Sequence, residues 1–364
     1  LELIYQIALT LVDGVGPVLA KNLISYCGSA SEVFRAKKST LLKIPDIGQK
    51  TANALIDFKD FKRAEHEIKF IEKHQIKAHF YADSNYPYRL KSTHDCPVVL
   101  YQLGNTNLNS EKIIGIVGTR NPSEYGKYFC EQLLEDLASS GATIISGMAY
   151  GIDIHAHKSA IKNNLPTLGV MAHGLDRIYP SDHKKYAKAM IENKGGFLTE
   201  FLSKTSPDRE NFPKRNRIVA GLCDAIIVIE TAKKGGSMIT AELAWQYDRI
   251  LMALPGKSTD DKSAGCNYLI KTNRAELIEN SEDVIKSLGW DTSTKKRPIQ
   301  KSLPLDLSQT ELVVWNLLKE KSLIEIDEII SISKLGSSEV ALILLDFEFK
   351  GWIKTLPGKR YQLL

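Results

Sequence analysis

One unit recurs three times between residues 111 and 242: an apolar run ends in a glycine-rich turn, and the turn opens a helix. The turns read GIVGTRNPSEYGK (115–127), ISGMAYGID (145–153) and AKKGGSMITAE (232–242). A fourth segment, NFPKRNRIVAGL (211–222), sets Arg215, Asn216 and Arg217 at the start of a further helix. Short apolar runs alternating with helices build a doubly wound parallel sheet. In such a sheet the turns fall at the carboxyl ends of the strands, where ligands bind. Helix N-termini carry unpaired N–H groups that attract anions. Several such turns, with Arg120, Arg215 and Arg217 among them, point to a track of phosphates rather than to one small-molecule pocket.

The strand candidates are residues 112–117, 143–146, 167–171, 196–200, 225–230 and 250–254. Each is a nearly continuous apolar run, as strands buried on both faces require. They place an α/β, Rossmann-like domain at residues 111–288. Residues 1–75 read as short helices. Within them DGVGPVLAKNLI (13–24) and IPDIGQKTANALI (44–56) have the spacing of helix-hairpin-helix turns. Such turns either hold a nucleic-acid phosphate or simply pack helices. Residues 76–110, with Pro87 and Pro97 and then a strand-like run at 98–103, read as an extended connector laid against the next domain. Residues 289–303 are polar and basic and contain Pro298, a linker composition. Residues 304–364 predict three helices and a hairpin turning at Pro357-Gly358, which together make a winged helix.

A chain of 364 residues suits two or three domains, and 43% hydrophobic residues suffice for a core. The formal charge of +5 permits a nucleic-acid partner without demanding one. Five scattered cysteines with no C-x-x-C pair predict reduced thiols in a cytoplasmic protein, without a disulfide framework or zinc site. Glu2 and Gln6 interrupt the apolar start and no basic segment precedes it, so neither a signal peptide nor a membrane span is expected there. The absence of an initiator Met suggests a trimmed start.

In the first turn Gly118 lets the backbone approach a ligand, Arg120 can hold a phosphate through paired hydrogen bonds, and Ser123 precedes the helix. Neither a Walker A sequence nor G-x-G-x-x-G is present, so no nucleotide cofactor is expected. In the second, Gly147 and Gly151 make a tight turn and Asp153 is placed to cap the helix. His155 and His157 lie two apart and so face different ways on a helix, and no metal is expected. In the basic segment Lys214, Arg215 and Arg217 crowd a helix N-terminus, against the dipole, and an arriving anion would remove that conflict. Gly235, Gly236 and Ser237, beside Lys233 and Lys234, have the form of a phosphate cradle. No nucleophile constellation is present, so the pocket reads as built to hold rather than to cut.

These blocks resemble the bacterial DNA-processing protein A (Smf) family. The resemblance also covers YPYRL (86–90), HGLDRIYP (173–180), GGSMITAELA (235–244) and LPGKSTDDKSAGCNYLI (254–270), so it spans nearly the whole chain. It implies an extended Rossmann-like fold, a sterile-alpha-motif-like N-terminal domain and a C-terminal winged helix. It implies a competence protein of natural transformation that binds and protects incoming single-stranded DNA and loads the RecA recombinase, with no catalysis of its own. It implies a homodimer through the Rossmann-like domain. The family's phosphate-binding arginine falls on Arg120, its basic motif on residues 212–217, and its glycine turns on Gly147, Gly151, Gly235 and Gly236. Phe212 and Tyr150 are candidates to stack on bases.

Two other readings compete. Glu242, one turn into its helix, could be the general base of a nucleotide hydrolase, although that family's P-G-G-x-G-T pattern is absent. The winged helix could serve a transcription factor. Its presumed recognition helix, 338–350, carries Glu339, Asp346 and Glu348 against one lysine, a poor match to a DNA groove and a better one to a protein contact.

Overall fold

The computed structural model describes residues 2–290, 307–321, 323–356 and 358–363. The expected linker from residue 291 onward, and Pro357 of the expected hairpin turn, lie outside them.

Six helices open the chain: α1 (Glu2–Leu9), α2 (Pro17–Cys27), α3 (Ala30–Arg35), α4 (Lys38–Leu41), α5 (Gln49–Asp57) and α6 (Phe61–Lys73). Gly16 precedes α2 and Gly48 precedes α5, neither with a side-chain cap, as helix-hairpin-helix turns require. Their core (Ile7, Leu23, Leu41, Leu55) does not close on itself. It continues into Phe80, Val98, Val99 and Tyr101.

Those four residues correct the expected connector. Residues 76–110 supply β1 (Lys77–Phe80), the single turn α7 (Tyr88–Lys91) and β2 (Val99–Gly104), and both strands join the main sheet. The further strands are β3 (Ile113–Gly118), β4 (Thr143–Ser146), β5 (Thr167–Val170), β6 (Gly196–Thr199), β7 (Ala225–Ile229), β8 (Ile250–Ala253) and β9 (Glu276–Leu277). Their order is β1-β2-β6-β5-β4-β3-β7-β8-β9. Pairing is parallel from β6 to β9, and β1 and β2 add an antiparallel edge.

Alternation along β3 shows why helices cover both faces. Ile113 and Val117 pack with α11 (Asn211–Leu222), α12 (Gly236–Gln246) and α13 (Ala264–Lys271). Ile114 and Ile116 face α8 (Glu124–Asp136), α9 (Ile152–Lys162) and α14 (Ser281–Ser287). Between them in sequence, α10 (Lys184–Glu192) packs on α9.

The C-terminal module holds α15 (Gln309–Glu320), β10 (Ile324–Glu325), α16 (Ile326–Ser333), α17 (Ser337–Phe349), β11 (Ile353–Leu356) and β12 (Arg360–Leu363). Ser308 opens α15 with a capping box to Glu311. Among the described residues, its core of Val314, Leu318, Ile329, Val340 and Phe347 contains none from the rest of the chain. The module docks at the amino end of the sheet. There the buried Asp224 carboxylate accepts from Arg89 at 2.7 and 2.9 Å, from the Ile113 N–H at 3.0 Å and from Arg360 of β12 at 3.0 Å. The Tyr88 ring lies 4.7 Å from the Arg89 guanidinium carbon and 5.0 Å from that of Arg360.

Candidate nucleic-acid interface

Strand order reverses at β3: β4, β5 and β6 extend one way and β7, β8 and β9 the other. The loops after β3, β4 and β7 therefore converge at a switch point, where doubly wound folds bind ligands. They enclose a cavity of about 290 Å³ whose lining includes Gly118, Arg120, Gly147, Phe212, Arg215, Asn216, Gly235, Gly236 and Ser237. Nine of the fourteen sequence-predicted site residues thus meet at one place.

Glu230, at the end of β7, organises the loops. Its backbone turns at a φ of +53°, and its carbonyl accepts from the Thr119 N–H at 2.7 Å. Its carboxylate accepts from the Ser123 N–H at 2.7 Å and from the Ser123 hydroxyl. Ser123 Oγ also caps α8 by accepting from the Gly126 N–H at 3.2 Å. The Ser123 hydroxyl is therefore committed to the scaffold and does not line the cavity, which corrects its assignment to phosphate. A carboxylate directly after the buried run AIIVI was the available signal for Glu230.

The glycines divide into two kinds. A Cβ at Gly118 would lie 2.0 Å from the Ile229 carbonyl oxygen, and one at Gly147 would lie 2.4 Å from Arg215 Nη1. At Gly151, where φ is +81°, it would lie 2.1 Å from the Thr119 carbonyl oxygen, and at Gly235 it would lie 2.4 Å from Thr231 Oγ1. The first three let the loops cross one another, and Gly235 lets its own loop fold back on Thr231. Gly118, Gly147 and Gly235 also line the cavity. Only at Gly236, among these five, would a Cβ meet nothing within 4 Å.

The basic segment is also reassigned. Helix α11 starts at Asn211, so Lys214, Arg215 and Arg217 sit beyond its first residues. Arg215 is buried and donates to the Gly147 and Val170 carbonyls. Burial raises the pKa of neighbouring Asp153, and Arg215 opposes that shift. Asp153 does not cap α9; its carboxylate accepts from the Ala149 N–H at 3.3 Å, and Gly151 holds the cap position. Arg217 points the other way, donating to Glu200 and to the Asp95 carbonyl. Residues two apart on a helix face different sides, so Arg215 and Arg217 could not share one ligand. Lys214 is exposed and lies outside the cavity lining. The conflict with the helix dipole is thus largely met within the protein. Arg217→Ala is expected to cost about 2 kcal/mol, between an exposed and a fully buried ion pair. Urea unfolding of the variant checks it, since the Arg217 and Glu200 side chains are 11% and 15% exposed.

Arg120 differs from both. It is exposed, and no carboxylate among the described residues pairs with it. The Phe212 ring lies 5.8 Å from its guanidinium carbon and 5.9 Å from that of Arg215, so Phe212 stands between two cations at the cavity wall. Helices α11 and α12 start beside the cavity without a side-chain cap, whereas the first N–H of α9, that of Ile152, donates to the Thr119 carbonyl at 3.1 Å. The Ser237 hydroxyl donates to Thr231 Oγ1 at 2.7 Å, which leaves its N–H as the group the helix end can offer. Tyr150 and Gly151 lie outside this lining, in an adjacent groove.

His157 is buried, bonded to Thr167 Oγ1 at 2.7 Å, with its pKa pushed down to about 3 by burial. His155 faces Glu131 instead, at 4.0 Å. Among the described residues no group of three His, Cys, Asp or Glu is set to hold a metal ion. No helix among them is long and apolar enough to cross a membrane. None of the five cysteines is in a disulfide. Glu242 does not line the cavity; it pairs with Arg274 at 2.6 Å.

Fold and site together define a Rossmann-like protein with a cavity lined by Arg120 and Arg215 at its switch point, carrying a helical module before the sheet and a winged helix after it. Residues 77–289 match the model of the DNA recombination-mediator protein A family. Residues 7–58 match a SAM-like helix-hairpin-helix tandem, and residues 298–359 the DprA winged helix domain. Protein Smf of Synechocystis is 31% identical over 99% of this chain and 98% of its own length. DNA processing protein DprA of Bacillus subtilis is 38% identical over 57% of this chain and 69% of its own. The X-ray structure of DprA from Streptococcus pneumoniae covers 78% of this chain and 97% of its own, with a TM-score of 0.67 and 28% identity. A structure of Helicobacter pylori DNA processing protein A, titled for its single-stranded DNA binding mode, covers 60% and 97%, with a TM-score of 0.53 and 33% identity. The chain belongs to the DNA recombination-mediator protein A family.

Proposed function

We propose that this protein uses the switch-point cavity as a cradle for single-stranded DNA, protects the strand and passes it to the RecA recombinase during transformation and recombination, without a reaction of its own. The observation that carries the reading is Arg120, an exposed guanidinium without a carboxylate partner among the described residues, beside a cavity onto which the uncapped N-termini of α11 and α12 open. Such a site suits the repeated phosphates of a strand. Phe212 adds an aromatic face, and stacking on it is tolerant of sequence. The site ligands on this reading are Arg120, Gly236, the Ser237 N–H and Phe212, with Arg215 beneath them. The homodimer and the RecA contact rest on family resemblance.

The hydrolase reading loses its base, because Glu242 is paired with Arg274 outside the cavity. The transcription-factor reading fares no better, because α17 exposes Leu342 at 68% and Phe349 at 83% beside its acidic residues.

Fluorescence anisotropy with labelled single-stranded and duplex oligonucleotides across a salt series tests the proposal. Single strands are expected to bind more tightly than duplex. Arg120→Ala is expected to weaken single-strand binding roughly tenfold or more, the worth of a hydrogen bond to a charged group. It should also flatten the salt dependence by about 0.7, as loss of one phosphate contact on a single strand does. Unchanged affinity and slope in Arg120→Ala would count against the cradle.

A further inference from the structure

We propose that a strand leaving the cradle at Arg120 continues into a second subsite, a groove formed by Tyr150, Lys158, Lys185, Tyr186 and Lys262, which takes the phosphates and a base of the adjoining nucleotides. The inference rests on the cradle reading and extends it.

The groove has a volume of about 600 Å³, and Arg120 lines both it and the cradle. Separate elements bring cations to it: Lys158 from α9, Lys185 from α10, and Lys262 from the segment before α13. Lys158 Nζ lies 4.6 Å and Lys185 Nζ 4.9 Å from the Tyr186 ring centroid. Two ammonium groups therefore gather on one aromatic ring. None of the three lysines has a carboxylate partner among the described residues.

The carboxylate in the lining, Asp182, accepts from the Tyr150 hydroxyl at 3.0 Å. Glu124 and Glu131 stand nearby, but Glu124 holds Lys127 at 2.6 Å and Glu131 lies 4.0 Å from His155. The His155 pKa is lowered, first by burial and then by Lys158 and Lys127. Cations packed this closely repel one another, and a polyanion laid among them removes the repulsion while releasing its own counterions.

Tyr150 supplies the aromatic part. The residue is 48% exposed, and its ring meets His183 edge-on at 5.0 Å. The hydroxyl bond to Asp182 fixes its orientation, so a base can stack on it with little ordering cost.

The experiment uses the whole chain and fluorescein-labelled oligothymidylates of two lengths, about 4 and about 15 nucleotides, bracketing the strand that one small site accommodates. Lys158→Glu/Lys185→Glu is expected to weaken the longer strand roughly tenfold and flatten its salt dependence by about 1.4, two phosphates' worth. The shorter strand should bind as it does to the unaltered protein. Tyr150→Ala should weaken the longer strand alone, without changing the salt slope. Solvated lysines with no role would leave the longer strand as tightly bound to the charge-reversed protein as to the original, and that result overturns the proposal. Gly236→Val, run in parallel, separates the two readings. Loss of the shorter strand in that variant keeps the cradle, whatever the groove does. Retention of both lengths overturns the cradle, and the continuation with it.

Discussion

Gly236→Val is expected to reduce single-strand binding at least a hundredfold while leaving the folded protein as stable as before. Gly236 lines the cradle at the first turn of α12, and a Cβ there meets nothing within 4 Å. A branched side chain therefore enters the space a phosphate needs from a Cβ that has room in the protein. Replacing glycine in a helix should even stabilise slightly, by a few tenths of a kcal/mol, since less backbone freedom is lost on folding. Anisotropy and thermal unfolding on the same preparation give both readouts. Arg215→Ala makes a poorer probe despite its place in the basic motif. Arg215 holds the carbonyls of Gly147 and Val170, so its loss disturbs the second loop and confounds binding with folding. Binding undiminished in Gly236→Val would move the DNA site elsewhere.

Asp224→Ala is expected to destabilise the protein by about 3–5 kcal/mol, the cost of stripping one partner from a buried ionic cluster. The Arg89 and Asp224 side chains are 1% and 7% exposed, and the carboxylate also satisfies the Ile113 N–H. Removing it leaves the Arg89 guanidinium desolvated beside Arg249, whose pKa burial and Arg360 already push down to about 10. Asp224→Asn should cost less, because the amide oxygen still accepts one bond. Urea titrations of both variants decide the point; equal stability of Asp224→Ala and the original would show that the cluster contributes nothing.

Much of the fold was legible because burial on both faces leaves a plain signature. Six runs such as IIGIV and AIIVI read as strands, and all six are strands. The misses were the edges. Strand β1 is KAHF, with Lys77 exposed and His79 bonded to Gln102, and it carries no apolar run. Strand β9 is two exposed residues, and β10 is two residues long. The site was legible in part. Glycine turns identify loops that cross, so they located the cavity even where their own role is packing. Side-chain direction was not legible. Ser123 is taken by Glu230 and Arg217 by Glu200, partners that stand just past the ends of β7 and β6, 107 and 17 residues away. The notion of cations crowding a helix start failed for the same reason: Arg215 spends its charge on carbonyls at the ends of neighbouring strands.

The two terminal modules are joined to the sheet in different ways. The N-terminal helices share an apolar core with β1 and β2, whereas the winged helix keeps its core to itself and meets the sheet through the Asp224 cluster and a Lys354 bond to the Gly289 carbonyl at 3.1 Å. Loss of the winged helix would therefore bare a carboxylate already answered by Arg89 and leave the buried clusters of the sheet domain whole. The helices at the other end are not so separable: losing them would strip β1 and β2 to open hydrocarbon and invite aggregation.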